Sequence, residues 1–280
     1  MKLRRLMRRA VAVGVTVALA GLISPTTAQA APGGTGPYIA DYETTIRLRN
    51  HTIYRPNTIP AGVTLPIVAW GNGACRADGT WFENFLKELA SHGFLVIANG
   101  RPGGSGSTDA DMLVDAIDWA IAENSRRTSK YYGKIDTTKV AVMGQSCGGL
   151  EAYEVASSDA RIDTTVIWNS GMLSDADNAQ LARLRAPIAY FTGGPSDIAY
   201  ANAIDDWRRL PATLPAFMGH LDVGHFGTYG QPNGGEYGRV GAHWLKWQLK
   251  GDTTSRAQFA GPACGLCVDP DWETEQKNLN

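Results

Sequence analysis

The chain has 280 residues, of which 44% are hydrophobic and 19% are charged, a composition typical of a globular protein with a sizeable core. Setting aside the five basic residues among the first thirty leaves 21 basic against 27 acidic groups, a net charge of −6. No cluster of lysine and arginine remains outside those thirty residues, so the composition argues against a nucleic-acid or anionic-membrane partner.

The first thirty residues have the pattern of a secretory signal peptide. A basic head containing Arg8-Arg9 precedes an apolar stretch from Val11 to Ile23, and Ala28-Gln29-Ala30 supplies a small-x-small cleavage site. The apolar stretch is short for a bilayer span, so we predict an exported chain with no membrane anchor after cleavage near residue 31. A Sec-type signal is the expectation, and Arg8-Arg9 leaves the twin-arginine route open.

Beyond two strand-like stretches near residues 44–54, apolar strands alternate with amphipathic helices. The predicted strands cover residues 65–70, 94–98, 139–143, 165–168, 188–191 and 215–218. Helices are predicted on apolar faces that begin at Phe82 and Met112, and a closing helix ends at Gly251; Thr80 and Glu83 have the spacing of a capping box. This alternation predicts right-handed crossovers and a mostly parallel sheet with helices on both faces, an α/β fold.

The stretch Lys139–Leu150 carries the strongest chemical signal. Its apolar run leads into Gly144-Gln145-Ser146-Cys147-Gly148 and then into a helix, the strand, turn and helix of a nucleophile elbow. Such a turn strains its central residue, and the flanking glycines leave room where a Cβ would clash. Ser146 is therefore the predicted nucleophile. Because G-x-S-x-G also arises by chance, a glycine-rich turn without a catalytic role is the alternative.

A serine hydroxyl needs a base to accept its proton and a carboxylate to orient that base. In this architecture the acid and then the histidine follow later strands. Asp197 follows one predicted strand and His225 the next, so they are the predicted acid and base. His220, at the edge of its strand, is the alternative base, and Asp205 and Asp206 are interpreted as charges on a helix surface. Taken singly, a turn aspartate or a loop histidine would have no catalytic meaning.

Acyl transfer also needs backbone N–H groups that bind the oxyanion of the tetrahedral intermediate. We predict the amide of Cys147, directly after the nucleophile, as one donor. The other is expected from the glycine-rich loop after residue 70, where Asn72 is the first choice and Gly73, whose backbone can approach the substrate, the second. The glycine-rich segment 100–106 does not match G-x-G-x-x-G, so no dinucleotide cofactor is expected.

Four cysteines lie outside the first thirty residues: Cys75, Cys147, Cys264 and Cys267. An even number in an exported protein indicates disulfides, with three connectivities available. Only one Cys-x-x-Cys pair is present, so a zinc site is not expected. We favour a short Cys264–Cys267 bridge, which leaves Cys75 to pair with Cys147 beside the predicted oxyanion hole. A free, buried Cys147 is the alternative.

In these residues the chain resembles the α/β-hydrolase superfamily, and within it secreted serine esterases of the cutinase-like and dienelactone-hydrolase-like kind. The segments that carry the resemblance are Gly71-Asn72-Gly73, Leu89–Phe94, Gly144–Gly149, Asp197, His225 and Trp244–Phe259. Gln145 departs from the histidine common in cutinase-like enzymes. The resemblance implies an α/β-hydrolase fold and a substrate-binding role for Trp168, with a core position as the equal alternative. Residues 170–185 are too few for a large cap domain.

We therefore predict an exported serine carboxylester hydrolase that works through an acyl-enzyme on small esters or on a polyester such as cutin. Residues 31–280 are expected to form a single catalytic domain, monomeric and without a cofactor or catalytic metal. An acyltransferase using the same triad, and a secreted binding protein with an inactive hydrolase fold, are the alternatives.

Overall fold

A computed structural model describes residues 33–279, so the predicted signal peptide at residues 1–30 lies outside the described residues. The strands are β1 (Ala40–Thr45), β2 (Leu48–Pro56), β3 (Leu65–Gly71), β4 (Leu95–Asn99), β5 (Ile135–Gln145), β6 (Thr164–Trp168), β7 (Ile188–Thr192), β8 (Ala216–Leu221) and β9 (Trp272–Lys277). The helices are α1 (Glu83–Ser91), α2 (Ala110–Ser125), α3 (Cys147–Ser158), α4 (Tyr200–Arg209), α5 (Gly235–Lys250) and α6 (Thr253–Arg256).

The strands form one nine-stranded sheet in the order β1-β2-β4-β3-β5-β6-β7-β8-β9. Strands β3 to β8 pair in parallel, while β1, β2 and β9 are antiparallel to their neighbours at the two sides of the sheet. The predicted mostly parallel α/β sheet is confirmed. The carboxyl ends of β5, β7 and β8 consequently meet at one edge, where ligands bind in open α/β sheets.

Each face of the sheet supports its own hydrophobic core. Side chains alternate along a strand, so in β3 Ile67 and Ala69 join one core while Val68 and Trp70 join the other. The first core contains buried side chains of α2, α3 and α4, and the second contains those of α1 and α5. Helices therefore cover both faces of the sheet, as predicted.

Two local predictions about elements were wrong. Thr80 and Glu83 do not form a capping box: α1 begins at Glu83 with Phe82 as its N-cap, and the Thr80 hydroxyl donates to Asp78 at 2.9 Å. The last strand predicted from the sequence covers residues 215–218, but one more strand follows it in the structure. Strand β9 follows it and was missed because only Trp272 of its six side chains is buried, which leaves no apolar run.

The segment between β6 and β7 contains only a 3-10 helix, Asp177–Arg183, so the described chain has no large cap domain. A disulfide joins Cys264 and Cys267, with their Cα atoms 4.9 Å apart, and closes a short loop before β9. Among residues 33–279, no helix is both long and apolar enough to cross a bilayer.

Candidate active site

Ser146 lies in the tight turn between β5 and α3, with φ 52° and ψ −118°. This is a strained conformation for a residue with a side chain. The flanking glycines make the turn sterically accessible, because a Cβ on Gly144 would overlap the carbonyl of Gly148 and a Cβ on Gly148 would overlap the backbone of Gly71. The turn is also held by the Ser146 amide, which donates to the Trp168 carbonyl at 3.0 Å. The structure thus has the predicted strand, turn and helix around Ser146.

His225 and Asp197 lie in the loops after β8 and β7, at the same edge of the sheet as Ser146. The His225 Nε2 atom is 3.1 Å from the Ser146 hydroxyl oxygen, and His225 Nδ1 is 2.6 Å from a carboxylate oxygen of Asp197. The structure therefore brings together all three residues of the predicted triad. In this arrangement the serine hydroxyl can give its proton to the imidazole during nucleophilic attack, while the carboxylate orients the imidazole ring.

The Asp197 carboxylate is buried and accepts backbone N–H groups of Gly193 at 3.0 Å and Ala199 at 2.9 Å. Burial by itself raises the pKa of Asp197. The hydrogen bond with His225 and those from the backbone and Asn169 outweigh the burial and hold the pKa below its usual value. Asp197 is thus an anion suited to orient the His225 ring and to stabilise it when protonated.

Asn169 is a site residue that the sequence analysis missed. It follows β6 directly with φ 44°, a left-handed conformation that asparagine tolerates better than most residues. Its Nδ2 donates to Asp197 at 2.8 Å, and its Oδ1 accepts the hydroxyl of Tyr229. Asn169 directly follows a parallel strand that pairs with the elbow strand. This position places it at the same edge of the sheet as Ser146 and could have identified it from the sequence.

Gln145 connects the loops on either side of the nucleophile. Its side chain is buried, and its Nε2 donates to the His225 carbonyl at 3.1 Å. On the other side a Cβ on Gly73 would overlap the Gln145 Oε1 atom, so the two residues are in close contact. The residue that departs from the cutinase-like pattern therefore contacts both the histidine loop and the loop after β3.

The loop after β3 contains the turn Asn72–Cys75, which we call the β3–α1 turn. The Asn72 side chain is buried, accepts the Trp70 indole N–H at 2.9 Å and donates to the Asn99 carbonyl at 2.6 Å. A disulfide joins Cys75 to Cys147, the first residue of α3, with Cα atoms 5.1 Å apart. The pairing Cys75–Cys147 is thus present in the structure, and it holds the turn next to the predicted oxyanion donor Cys147.

A cavity of about 210 Å³ opens beside Ser146 and His225. The large apolar side chains among its lining residues are Leu150, Leu173 and Ile198. Leu173 and Ile198 are 71% and 79% exposed, and Phe226, which follows His225, is 75% exposed. The site is therefore an open cleft with an apolar rim.

Trp168 does not lie in this cleft. It has no exposed surface, stacks on Phe191 with ring centroids 4.6 Å apart, and meets the edge of Phe85. The structure places it in the core beneath the site, the alternative stated above, and not against a substrate. The resemblance implied a substrate-binding role for Trp168, but its side chain packs in the core shared with α1 and α5, and Asn169 lies at the edge of the sheet instead.

The alternatives for the acid and base lie away from Ser146. His220 is within β8, where its Nδ1 pairs with the Thr192 hydroxyl at 2.7 Å and burial lowers its pKa. The interpretation of Asp206 as a surface charge was wrong, because Asp206 is fully buried and accepts the Tyr153 hydroxyl at 2.6 Å. It follows Ala203 by three residues and so shares the buried face of α4.

No group of three or more histidine, cysteine, aspartate or glutamate side chains within the described part of the chain is arranged to hold a metal ion.

A family model described as PETase, PET hydrolase-like, matches residues 24–271. The match includes the elbow and both loops that contain Asp197 and His225. The chain belongs to this PET hydrolase-like family of the α/β-hydrolase fold, and it is a carboxylic ester hydrolase.

Proposed function

We propose that the protein is a secreted serine esterase whose triad is Ser146, His225 and Asp197, acting on polyesters and on small esters of similar acyl groups. The observation that carries the proposal is the position of His225, with one ring nitrogen 3.1 Å from the Ser146 hydroxyl and the other 2.6 Å from Asp197. Both distances are within hydrogen-bonding range, so the proton path needs no rearrangement.

In the proposed reaction His225 Nε2 takes the proton of Ser146 as its oxygen attacks the ester carbonyl carbon. The ionised Asp197 stabilises the resulting imidazolium. His225 then gives that proton to the departing alcohol oxygen, the carbon–oxygen bond of the ester breaks, and an acyl-enzyme remains on Ser146. A water molecule, deprotonated by His225, then attacks the acyl carbonyl carbon. The bond between this carbon and the Ser146 oxygen breaks, the acid is released, and His225 returns the proton to Ser146.

We propose that the backbone N–H of Cys147, together with that of Asn72 or Gly73, binds the negative oxygen of the tetrahedral intermediate. Cys147 is the first residue of α3, so its amide lies at the positive end of a helix dipole. Such donors contribute on the order of 10²- to 10³-fold each to the turnover rate of acyl-transfer enzymes.

The shape of the cleft supports an acyl group of modest size. Its volume of about 210 Å³ is below the roughly 300–1,000 Å³ of pockets that enclose drug-sized ligands. One short acyl or aryl unit fits beside Ser146, and the remainder of a polymer chain can lie over the exposed apolar rim of Leu173, Ile198 and Phe226. The family assignment supports the same substrate class.

We also propose that the chain is exported after removal of residues 1–30 and works outside the cell as a single catalytic domain. Two disulfides among the described residues support an oxidising compartment. Mass spectrometry of protein from the culture medium tests this proposal. A mature N-terminus near residue 31 is expected, and an intact N-terminus on medium protein would contradict the signal.

The activity is tested with p-nitrophenyl esters of increasing acyl length and with polyester particles, comparing wild type with Ser146→Ala. Ser158→Ala, an exposed serine on α3, is the matched control. We expect Ser146→Ala to lose roughly 10⁴- to 10⁶-fold in kcat and the control to keep full activity. Equal rates for wild type and Ser146→Ala on every ester would overturn the assignment of the nucleophile.

A further inference from the structure

Glu151 is a buried carboxyl group that the proposed reaction does not use. It lies on α3, five residues after Ser146, and only 5% of it is exposed. Burial is the largest influence on the group and raises the pKa of Glu151 to about 7, with Asp109 and Glu154 as the charged neighbours that raise it further. A buried carboxyl group is costly unless it is hydrogen-bonded. Both of its hydrogen-bond partners lie outside α3.

The first partner connects Glu151 to one end of the β3–α1 turn. The Thr108 hydroxyl, which is itself buried, donates to Glu151 Oε1 at 2.5 Å. The backbone N–H of the same threonine donates to the carbonyl of Cys75 at 2.7 Å. Thr108 therefore joins the nucleophile's helix to the last residue of the turn.

The second partner connects Glu151 to the other end of the turn. The Asn99 side chain, at the end of β4, donates from Nδ2 to Glu151 Oε2 at 3.1 Å. The Asn99 carbonyl in turn accepts Nδ2 of Asn72 at 2.6 Å. Both asparagines have no exposed surface. One carboxyl group thus supports the first and the last residue of the β3–α1 turn through two separate chains of hydrogen bonds.

The carboxyl group is also in direct contact with the backbone that precedes the turn. A Cβ built on Gly71 would lie 2.7 Å from Glu151 Oε2 and 2.8 Å from the Cα of Gly148. Glu151 therefore fills the space where the end of β3 approaches the start of α3. These are the two elements whose amides would bind the oxyanion, and their separation fixes the distance between the donors.

We propose that Glu151 is a positioning residue of the oxyanion hole, which holds the β3–α1 turn at a fixed distance from the N-terminus of α3 through Thr108 and Asn99. The inference rests on the proposed function. Its role is hydrogen bonding and does not require the charge. A glutamine at this position would accept from Asn99 with its oxygen and donate to the Thr108 oxygen with its nitrogen, so the connections would be kept.

The test compares Glu151→Ala, which removes both connections, with Glu151→Gln, which keeps them. Glu154→Gln is the matched control, an exposed glutamate one turn further along α3. Turnover of p-nitrophenyl butyrate is measured per site titrated with a fluorophosphonate, so that unfolded protein does not lower the apparent kcat. We expect Glu151→Ala to lose about 10- to 100-fold in kcat with KM within about 3-fold, since misplaced donors weaken binding of the transition state more than of the ester. Glu151→Gln and the control are expected to stay within about 3-fold of wild type.

Thr108→Val gives a second variant, which removes one connection without a large cavity and covers the case in which Glu151→Ala does not fold. A kcat about 3- to 10-fold below wild type at unchanged KM is expected. Full kcat per titrated site in Thr108→Val and Glu151→Ala, or a loss in Glu151→Gln as large as in Glu151→Ala, would overturn the inference while the proposed function stands. If wild type hydrolyses no ester and Ser146 is not labelled, the proposed function fails and this inference fails with it.

Discussion

The two disulfides differ in the length of chain that they close, and this predicts very different effects on stability. Cys75 and Cys147 are 72 residues apart, whereas Cys264 and Cys267 are three apart. In the chain-entropy description, a disulfide lowers the entropy of the unfolded chain. The first bridge thereby raises the free energy of unfolding by about 4 kcal/mol and the second by about 1.5 kcal/mol. We expect the double variant Cys75→Ala with Cys147→Ala to lose about 4 kcal/mol in the free energy of unfolding, and the matched pair Cys264→Ala with Cys267→Ala about 1.5 kcal/mol.

The longer bridge also predicts a change in catalysis that the shorter one does not. It joins the β3–α1 turn to the residue whose amide is the predicted oxyanion donor, so its removal is expected to lower kcat about 10-fold or more. The variant at Cys264 and Cys267 is expected to keep its kcat. Urea unfolding monitored by tryptophan fluorescence gives the free energies, and ester turnover per titrated site gives kcat. Equal destabilisation by the two double variants, or an unchanged kcat without the longer bridge, would refute this reasoning.

Three further predictions concern buried polar groups and close contacts. Asn169→Ala removes a donor to Asp197 and should lower kcat/KM about 10-fold; an unchanged kcat/KM for p-nitrophenyl butyrate would contradict the role of Asn169. Glu151 has a pKa of about 7 in the folded protein, above its usual 4.5, so the stability from its protonated form is present below pH 4.5 and lost as the pH rises through 7. Between pH 5 and pH 8, urea unfolding should therefore show wild type losing about 2.5 kcal/mol relative to Glu151→Gln, and parallel pH curves would show that burial does not shift the pKa of Glu151. Gly73→Ala should lower kcat about 10-fold, because the added Cβ overlaps the Gln145 side chain and moves it away from the His225 carbonyl that it hydrogen-bonds. Gly230→Ala is the control: a Cβ there meets nothing within 4 Å, so this variant should match wild type in the same assay.

The central sheet was predictable because its parallel strands are buried on both faces and so appear as short apolar runs. The order of Ser146, Asp197 and His225 was predictable for a related reason. Each follows such a run, and the carboxyl ends of parallel strands meet at one edge of the sheet. The edge strand β9 lacks that signal, since it needs only one apolar side chain, Trp272, to pack against the core.

The polar residues that support the site were not predictable from local pattern. Asn169, Glu151 and Asp206 read as ordinary polar positions in a loop or on a helix, yet all three are buried. Their burial is made favourable by hydrogen-bond partners at least 28 residues away in sequence, such as Tyr153 for Asp206 and Thr108 for Glu151. A pattern within one element cannot identify such partners, because they meet only when the sheet has formed.

Strand β9 has a further consequence for how copies of the protein meet one another. It forms one side of the sheet, and a free sheet side invites strand addition by a second molecule. Glu273 and Glu275 alternate along it as exposed carboxylates. Two copies paired antiparallel about Thr274 would place Glu273 of one opposite Glu275 of the other, and these like charges disfavour that pairing. Exposed acidic side chains along β9 therefore disfavour edge-to-edge association between copies of the protein.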